Sequence, residues 1–284
     1  MVEKDLYQAA LTIRKDIIEM SKKASGCPMH PGPALSCTDI VAALYFKYMR
    51  IKPDQPNWSE RDRFVLSKGH GYAAVYSALA RKGYFPVEEL MTARGINSRL
   101  QGHPDMKKTP GIDMTAGSLG NGISAAAGMA YSLKHRGSSA HVYVILGDGE
   151  CQEGIVWEAA MSAARFKLGN LTAFVDCNRF QSCGSLTEIM EMEPFEDKWQ
   201  AFGWKTIRID GHDMAQICEA IEESKIDIDV PVCILANTIK GKGISFMENN
   251  NRWHCDDMTD EEYRIAVEEL RQEQMILEER GYVK

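Results

Sequence analysis

The stretch VILGDGECQEG (144–154) runs from β-branched and apolar residues directly into Gly147, Asp148 and Gly149, with acids and a helix-like segment behind them. A strand that stops in this way delivers a carboxylate and a pliant backbone to the edge of a sheet, where α/β proteins hold their ligands. The next apolar run, LTAFVD (171–176), leads into Cys177 and Asn178. Successive parallel strands of a βαβ unit usually lie side by side, so Asp148 and Asn178 are expected to converge at one carboxyl edge. A carboxylate and an amide oxygen, completed by a backbone carbonyl, suit a hard cation such as magnesium, whose remaining ligands are phosphate oxygens and water. Gly149 lets the backbone approach a diphosphate closely, and a helix starting near Glu153 would aim its free N–H groups the same way.

Outward from this stretch, helices and strands alternate. Strands are expected at 63–67, 141–146, 171–176, 205–209 and 232–237, with helices at 38–49, 70–82, 121–136, 153–167 and 213–224 between them. That rhythm predicts an α/β fold, a mostly parallel sheet with helices on both faces. Near the start of the chain, Leu6, Ala10, Ile13, Ile17 and Met20 share one helical face. Near its end, Thr259 and Glu262 are spaced as a capping box and open a long amphipathic helix over 259–280. No repeat or low-complexity linker interrupts the pattern, so the whole of 1–284 reads as a single domain.

Composition narrows the function classes. The formal charge is −7, and the 33 basic residues are scattered along the chain, so the footprint of a nucleic-acid binder is missing. No apolar run approaches the ~20 residues needed to span a bilayer. The acid-bearing amphipathic start is unlike a secretory signal. The eight cysteines, at 27, 37, 151, 177, 183, 218, 233 and 255, form no C-x-x-C pair or Cys/His ladder, and read as reduced thiols of a cytoplasmic protein. Cys151, Cys177 and Cys183 fall near the expected site and are candidates for oxidation. A nicotinamide cofactor is disfavoured, because no G-x-G-x-x-G turn follows an early strand.

The Gly-Asp-Gly, spacer, Asn pattern resembles the thiamine diphosphate signature, and the wider chain looks like the N-terminal, diphosphate-binding part of transketolase. The resemblance runs through SERDRFVLSKGHG, LQGHPD, TAGSLGNGISAAAGMA, GDGECQEG, EPFEDKWQAFGWKTIRIDGHD and TIKGKGISFMENNNRWH; the last two are most similar to transketolases whose halves are separate polypeptides. It implies that Asp148, Asn178 and the carbonyl of Phe180 bind magnesium, that Gly149 contacts the diphosphate of thiamine diphosphate, and that Gly117, Ser118 and Leu119 line the cofactor. Ser118 stands where the family has a proline, which leaves that turn less rigid. Glu153 matches an acid at the family's dimer interface that couples two cofactor sites. It also reads as a first-turn acid favoured by the helix dipole.

His30, His70, His103 and His254 fall in the resembling motifs, in loops or at element edges. The resemblance implies that they are catalytic, with His70 and His254 also touching the cofactor. They would hydrogen-bond substrate hydroxyls or cofactor oxygens and shuttle protons, a task suited to a neutral-range pKa. Three extra residues, Cys27, Pro28 and Met29, precede His30, which keeps its Pro-Gly neighbours. Ser182, Cys183 and Cys255 also depart from the family pattern around the sugar and thiazolium sites.

The family's chemistry also requires a glutamate on a second domain, which protonates the pyrimidine ring of the cofactor. After Thr238 the sequence offers a loop, His254 and a terminal helix. The resemblance therefore implies half a site, active only with a separate C-terminal subunit that carries the pyrimidine-binding domain, in a complex of two plus two chains. The implied reaction is transfer of a two-carbon ketol unit from a ketose to an aldose. Two alternatives stay open: another thiamine diphosphate enzyme subunit, of the deoxyketose-phosphate synthase or 2-oxo acid dehydrogenase type, or a non-catalytic binding subunit.

Overall fold

The computed structural model describes residues 3–23 and 28–282. Five strands, β1 (Arg63–Leu66), β2 (Val142–Gly147), β3 (Leu171–Cys177), β6 (Lys205–Asp210) and β7 (Val232–Asn237), form one sheet in the order β1-β2-β3-β7-β6, and every pairing is parallel. A two-stranded ribbon, β4 (Phe180–Gln181) with β5 (Gly184–Ser185), sits beyond β3. β2 and β3 are almost continuously apolar because both of their faces are covered. Tyr143, Ile145 and Phe174 join one core, and Val142, Val144, Leu146, Ala173 and Val175 join the other. The period of two thus assigns alternate side chains to opposite layers.

The first layer contains α1 (Glu3–Lys23), α2 (Pro31–Ser36), α3 (Thr38–Ala43), α4 (Tyr72–Lys82), α9 (Met214–Glu223) and α10 (Asp260–Glu279). The second contains α5 (Asn121–His135), α6 (Gly154–Arg165) and α8 (Phe195–Ala201), while α7 (Leu186–Ile189) follows the ribbon. The five expected strands occur within a residue of their predicted ends. Leu6, Ala10, Ile13, Ile17 and Met20 are all buried, and Thr259 and Glu262 form the capping box that starts α10, which lies along α1. Two expectations are corrected. The helix read over 38–49 is α only to Ala43 and continues as a π-helical turn over Leu44–Tyr48; the one read over 70–82 begins as a 3₁₀ turn, Gly69–Gly71. Among the described residues, no helix is long and apolar enough to cross a membrane.

A buried charge cluster fixes the helical layer to the sheet. Asp39 of α3 accepts a hydrogen bond from Arg14 of α1 at 2.6 Å and pairs at 2.8 Å with His212, whose other ring nitrogen accepts the Ile239 N–H. Burial alone would raise Asp39, but Arg14 and His212 hold its pKa at about 2, against an ordinary 3.8. Its contribution to stability is therefore complete above the ordinary carboxylate range and is lost as pH falls through about 2. Replacing Arg14 by Met strands a buried carboxylate and is expected to cost about 3 kcal/mol of unfolding free energy, read as a lower urea midpoint at neutral pH with an unchanged slope.

Candidate active site

The carboxyl ends of four adjacent strands open into one cavity of about 370 Å³. β1 leads into Lys68 and His70, β2 into Asp148 and Gly149, β3 into Asn178, and β7 into Lys240. This is the edge at which open α/β sheets bind ligands.

Asp176, the penultimate residue of β3, organises the floor. One of its oxygens accepts from Lys68 Nζ, from Ser36 Oγ at 2.6 Å and from Asn178 Nδ2 at 2.9 Å; the other accepts from Thr238 Oγ1. Lys68 also donates to the carbonyl of Pro33 at 2.8 Å. Burial works against both charges, yet each partner offsets it for the other, so Lys68 is pushed up, Asp176 is pushed down, and the pair stays ionised. Because the Asn178 amide nitrogen is committed to this carboxylate, its Oδ1 faces away from it and accepts the Phe180 N–H at 3.1 Å.

Asp148 stands opposite, with one oxygen accepting from the Arg179 N–H at 2.5 Å and the other from the Gly149 N–H at 2.8 Å. Burial, with the neighbouring Asp176 charge, pushes its pKa up to about 7 against these two N–H groups and Lys68. A carboxylate so placed is short of positive charge. Asn178 and Phe180 line the same cavity, and a carboxylate, an amide oxygen and a backbone carbonyl are donor types that a hard cation such as magnesium accepts. Among the described residues no group of three or more His, Cys, Asp or Glu side chains could hold a metal.

Glu150, which the sequence reading did not single out, is buried and ties the loop before α5 to the sheet. It accepts from Ser67 Oγ, from the Gly120 N–H at 2.7 Å and from the Gly147 N–H at 2.9 Å. Gly117 and Leu119 line the cavity, and the whole run 117–119 is exposed. Gly120, at φ +83°, turns the chain into α5, and a Cβ there would lie 2.7 Å from Ile155. A 3₁₀ turn, Gly149–Gln152, precedes α6, so that helix begins at Gly154 rather than at Glu153. Glu153 is its N-cap, exposed at the cavity rim, and makes no side-chain capping bond.

The four histidines meet in the same cavity. His30 is central, with ring centroids 5.8 Å from His70, 6.3 Å from His103 and 5.7 Å from His254; His70 and His254 are 5.1 Å apart. Lys240, also missed in the sequence, is buried and contacts His254 Nδ1 at 3.0 Å and Asn251 Oδ1 at 2.8 Å. Burial and the nearby Lys68 charge lower its pKa to about 8. The neutral-range pKa expected for the histidines is corrected. Burial, and then Arg94, pull His30 down to about 4; burial, and then Lys240, pull His254 to about 3; His70 is driven well below its ordinary value. At neutral pH these three rings are uncharged, each offering one N–H and one lone pair. His30 Nδ1 is buried and, among the described residues, unpartnered, which leaves a polar atom for a ligand.

The altered positions surround these histidines. Met29 is buried and bridges Asp256, so it is absorbed into the core; Cys27 lies outside the described residues. Ser182 lines the cavity, while Cys183 and Cys255 are exposed. Cys151 and Cys177 are buried, and burial drives both thiols well above their ordinary value, which removes the basis for reading them as reactive.

Fold and cavity together define a parallel α/β protein whose sheet edge brings Asp148 and Asn178 into one cavity with four histidines. The chain belongs to the transketolase family: the model of the transketolase thiamine diphosphate binding domain matches residues 4–275. It is 48% identical to the 6-deoxy-6-sulfo-D-fructose transketolase subunit SqwG of Clostridium sp. (strain MSTE9), over 95% of this chain and 97% of that protein. It is 40% identical to an apulose-4-phosphate transketolase subunit of Phocaeicola vulgatus, over 90% of each. The transketolase structure from Campylobacter jejuni superposes with a TM-score of 0.88 at 30% identity, covering 95% of this chain but 43% of that one. The chain thus spans the length of those separate subunits and less than half of that transketolase.

Asp176→Asn tests the floor. It leaves Lys68 buried without its counter-charge and loosens Asn178, so about 3 kcal/mol of stability should be lost. Thermal unfolding and thiamine diphosphate calorimetry should show a lowered Tm and weakened binding together.

Proposed function

We propose that this chain is the diphosphate-binding subunit of a two-chain transketolase. With thiamine diphosphate and magnesium, and completed by a separate C-terminal subunit carrying a pyrimidine-binding domain, it transfers a two-carbon ketol unit from a ketose to an aldose. The observation that carries this reading is the meeting of Asp148, Asn178 and Phe180 with His30, His70, His103 and His254 in the lining of one cavity. Relatives of the same length are named as transketolase subunits, and both names specify sugars bearing a sulfo or phosphate group, so an anionic sugar is the substrate class proposed.

Thiamine diphosphate, when bound, supplies the carbon nucleophile that accepts the ketol unit. The chain's residues supply position and proton control. Asp148, Asn178 and the Phe180 carbonyl hold magnesium, Gly149 makes room for the diphosphate, and Gly117, Ser118 and Leu119 border the cofactor. Neutral His30, His70, His103 and His254 donate to and accept from sugar hydroxyls through their ring nitrogens. Lys240 keeps His254 oriented through Nδ1. Glu153, exposed and lining the cavity, would meet the second subunit.

The reading includes residues 1–284 as one diphosphate-binding domain and a complex of two plus two chains. Cytoplasmic residence belongs to it as well, and is supported by the seven described cysteines, none of which forms a disulfide with another. Asp148→Ala removes the single charged ligand. Calorimetry with thiamine diphosphate and magnesium should show binding lost in a chain that remains folded, and unchanged affinity would sink the metal assignment. The purified chain should transfer no ketol unit alone and should gain turnover when the C-terminal subunit is mixed in; robust activity without it would refute the half-site.

A further inference from the structure

Just outside the histidine wall, one cation touches two of the segments that build it. Arg94 follows the 3₁₀ turn Val87–Thr92 and takes φ +65°, a left-handed backbone that few non-glycine residues adopt. Its N–H donates to the Leu100 carbonyl at 2.7 Å, which closes the loop ahead of His103. Its guanidinium lies over Gly102: a Cβ added there would stand 3.3 Å from both Cζ and Nε. From that seat Nη1 donates to the carbonyl of Pro28, two residues before His30. The same carbonyl accepts the thiol of Cys255, the neighbour of His254, at 3.6 Å. Pro28 is therefore where the segments carrying His30, His103 and His254 meet, and it belongs to the three-residue departure noted in the sequence.

We propose that Arg94 is a positioning residue of this site: seated on Gly102 and donating to Pro28, it ties the loop of His103 to the segment of His30 and holds the two rings facing each other. The inference rests on the proposed transketolase reading only for its catalytic consequence. A second effect is electrostatic. After burial, the Arg94 charge is the largest influence lowering His30, which also faces His103 and Lys240 and the rings of His70, His254 and Tyr72. After burial, Arg94 also lowers His103, which faces His30. Removing a positive charge favours the imidazolium, so both rings should titrate at higher pH without it.

The test uses the full chain. Histidine ring protons are titrated by NMR in the wild type, Arg94→Met and Arg94→Lys, with assignments from His30→Gln and His103→Gln. In Arg94→Met, both titrations should rise by about half a pH unit or more; Arg94→Lys should restore most of the shift. Mixed with its partner subunit, Arg94→Met should lose about tenfold in kcat, keep its affinity for thiamine diphosphate, and show the acid limb of its pH profile displaced to higher pH. Arg94→Lys should recover the limb but not the turnover, because an ammonium lacks the planar fork. If Arg94→Met does not fold, Arg94→Gly, which suits the left-handed backbone, gives the same comparison. Unmoved titrations of His30 and His103, or wild-type turnover across the pH range, overturn the proposal. The titration needs neither cofactor nor sugar, so shifted histidines in an assembly that transfers no ketol unit would defeat the transketolase reading and leave the assignment of Arg94 standing.

Discussion

Lys68 reaches across the carboxyl edge of the sheet from the end of β1 to Asp176 in β3, with β2 between them, and both charges are buried. Neither would survive alone in that environment, since an unpaired ion in a protein interior costs several kcal/mol or neutralises. Paired, they spread order outward. Asp176 gathers Ser36 from the helical layer and Thr238 from beyond β7, and turns the Asn178 amide so that its oxygen is available. Lys68 anchors the Pro33 carbonyl, and with it the turn of chain that follows His30. One ion pair thus registers three strands and a helix at the place where the site is built.

The electrostatic layout follows from that pair. Its net charge is near zero, so the floor is left with Asp148, whose carboxylate is raised by burial and lacks a counter-charge of its own. Burial first, and then the Lys68 charge for His70 and the Lys240 charge for His254, keep these rings uncharged. The cavity therefore joins an acid that has no counter-charge of its own to uncharged imidazoles.

The exposed run 117–119 shows how firmly the cavity mouth is held. Its side chains face out, yet Glu150 secures its far end through Gly120, and Gly120 itself has no room for a side chain against Ile155. The loop is fixed by backbone contacts from beneath and open from above, a geometry compatible with a second surface closing over it.

The strands and their alternation with helices were legible in the sequence because each is local. Near-continuous apolar runs at 142–147 and 171–177 specify two covered faces, and a strand that runs into Gly-Asp-Gly or Cys-Asn places its last polar residues at a sheet edge. The family motifs extended that reading to four histidines, and the fold brought all four to one wall. Lys68, Asp176, Glu150 and Lys240 lay inside quoted motifs and were passed over, although an acid closing the apolar run LTAFVD carried a signal, since a buried carboxylate must have a partner. The ribbon of β4 and β5 was missed because two-residue strands show no alternation. The tertiary structure alone decided which distant charges pair, that Arg94 is within reach of Pro28, and that burial holds three of the histidines neutral. Those properties depend on distances and desolvation set by packing between segments remote in the chain, whereas periodicity and motif spacing depend only on neighbours along it.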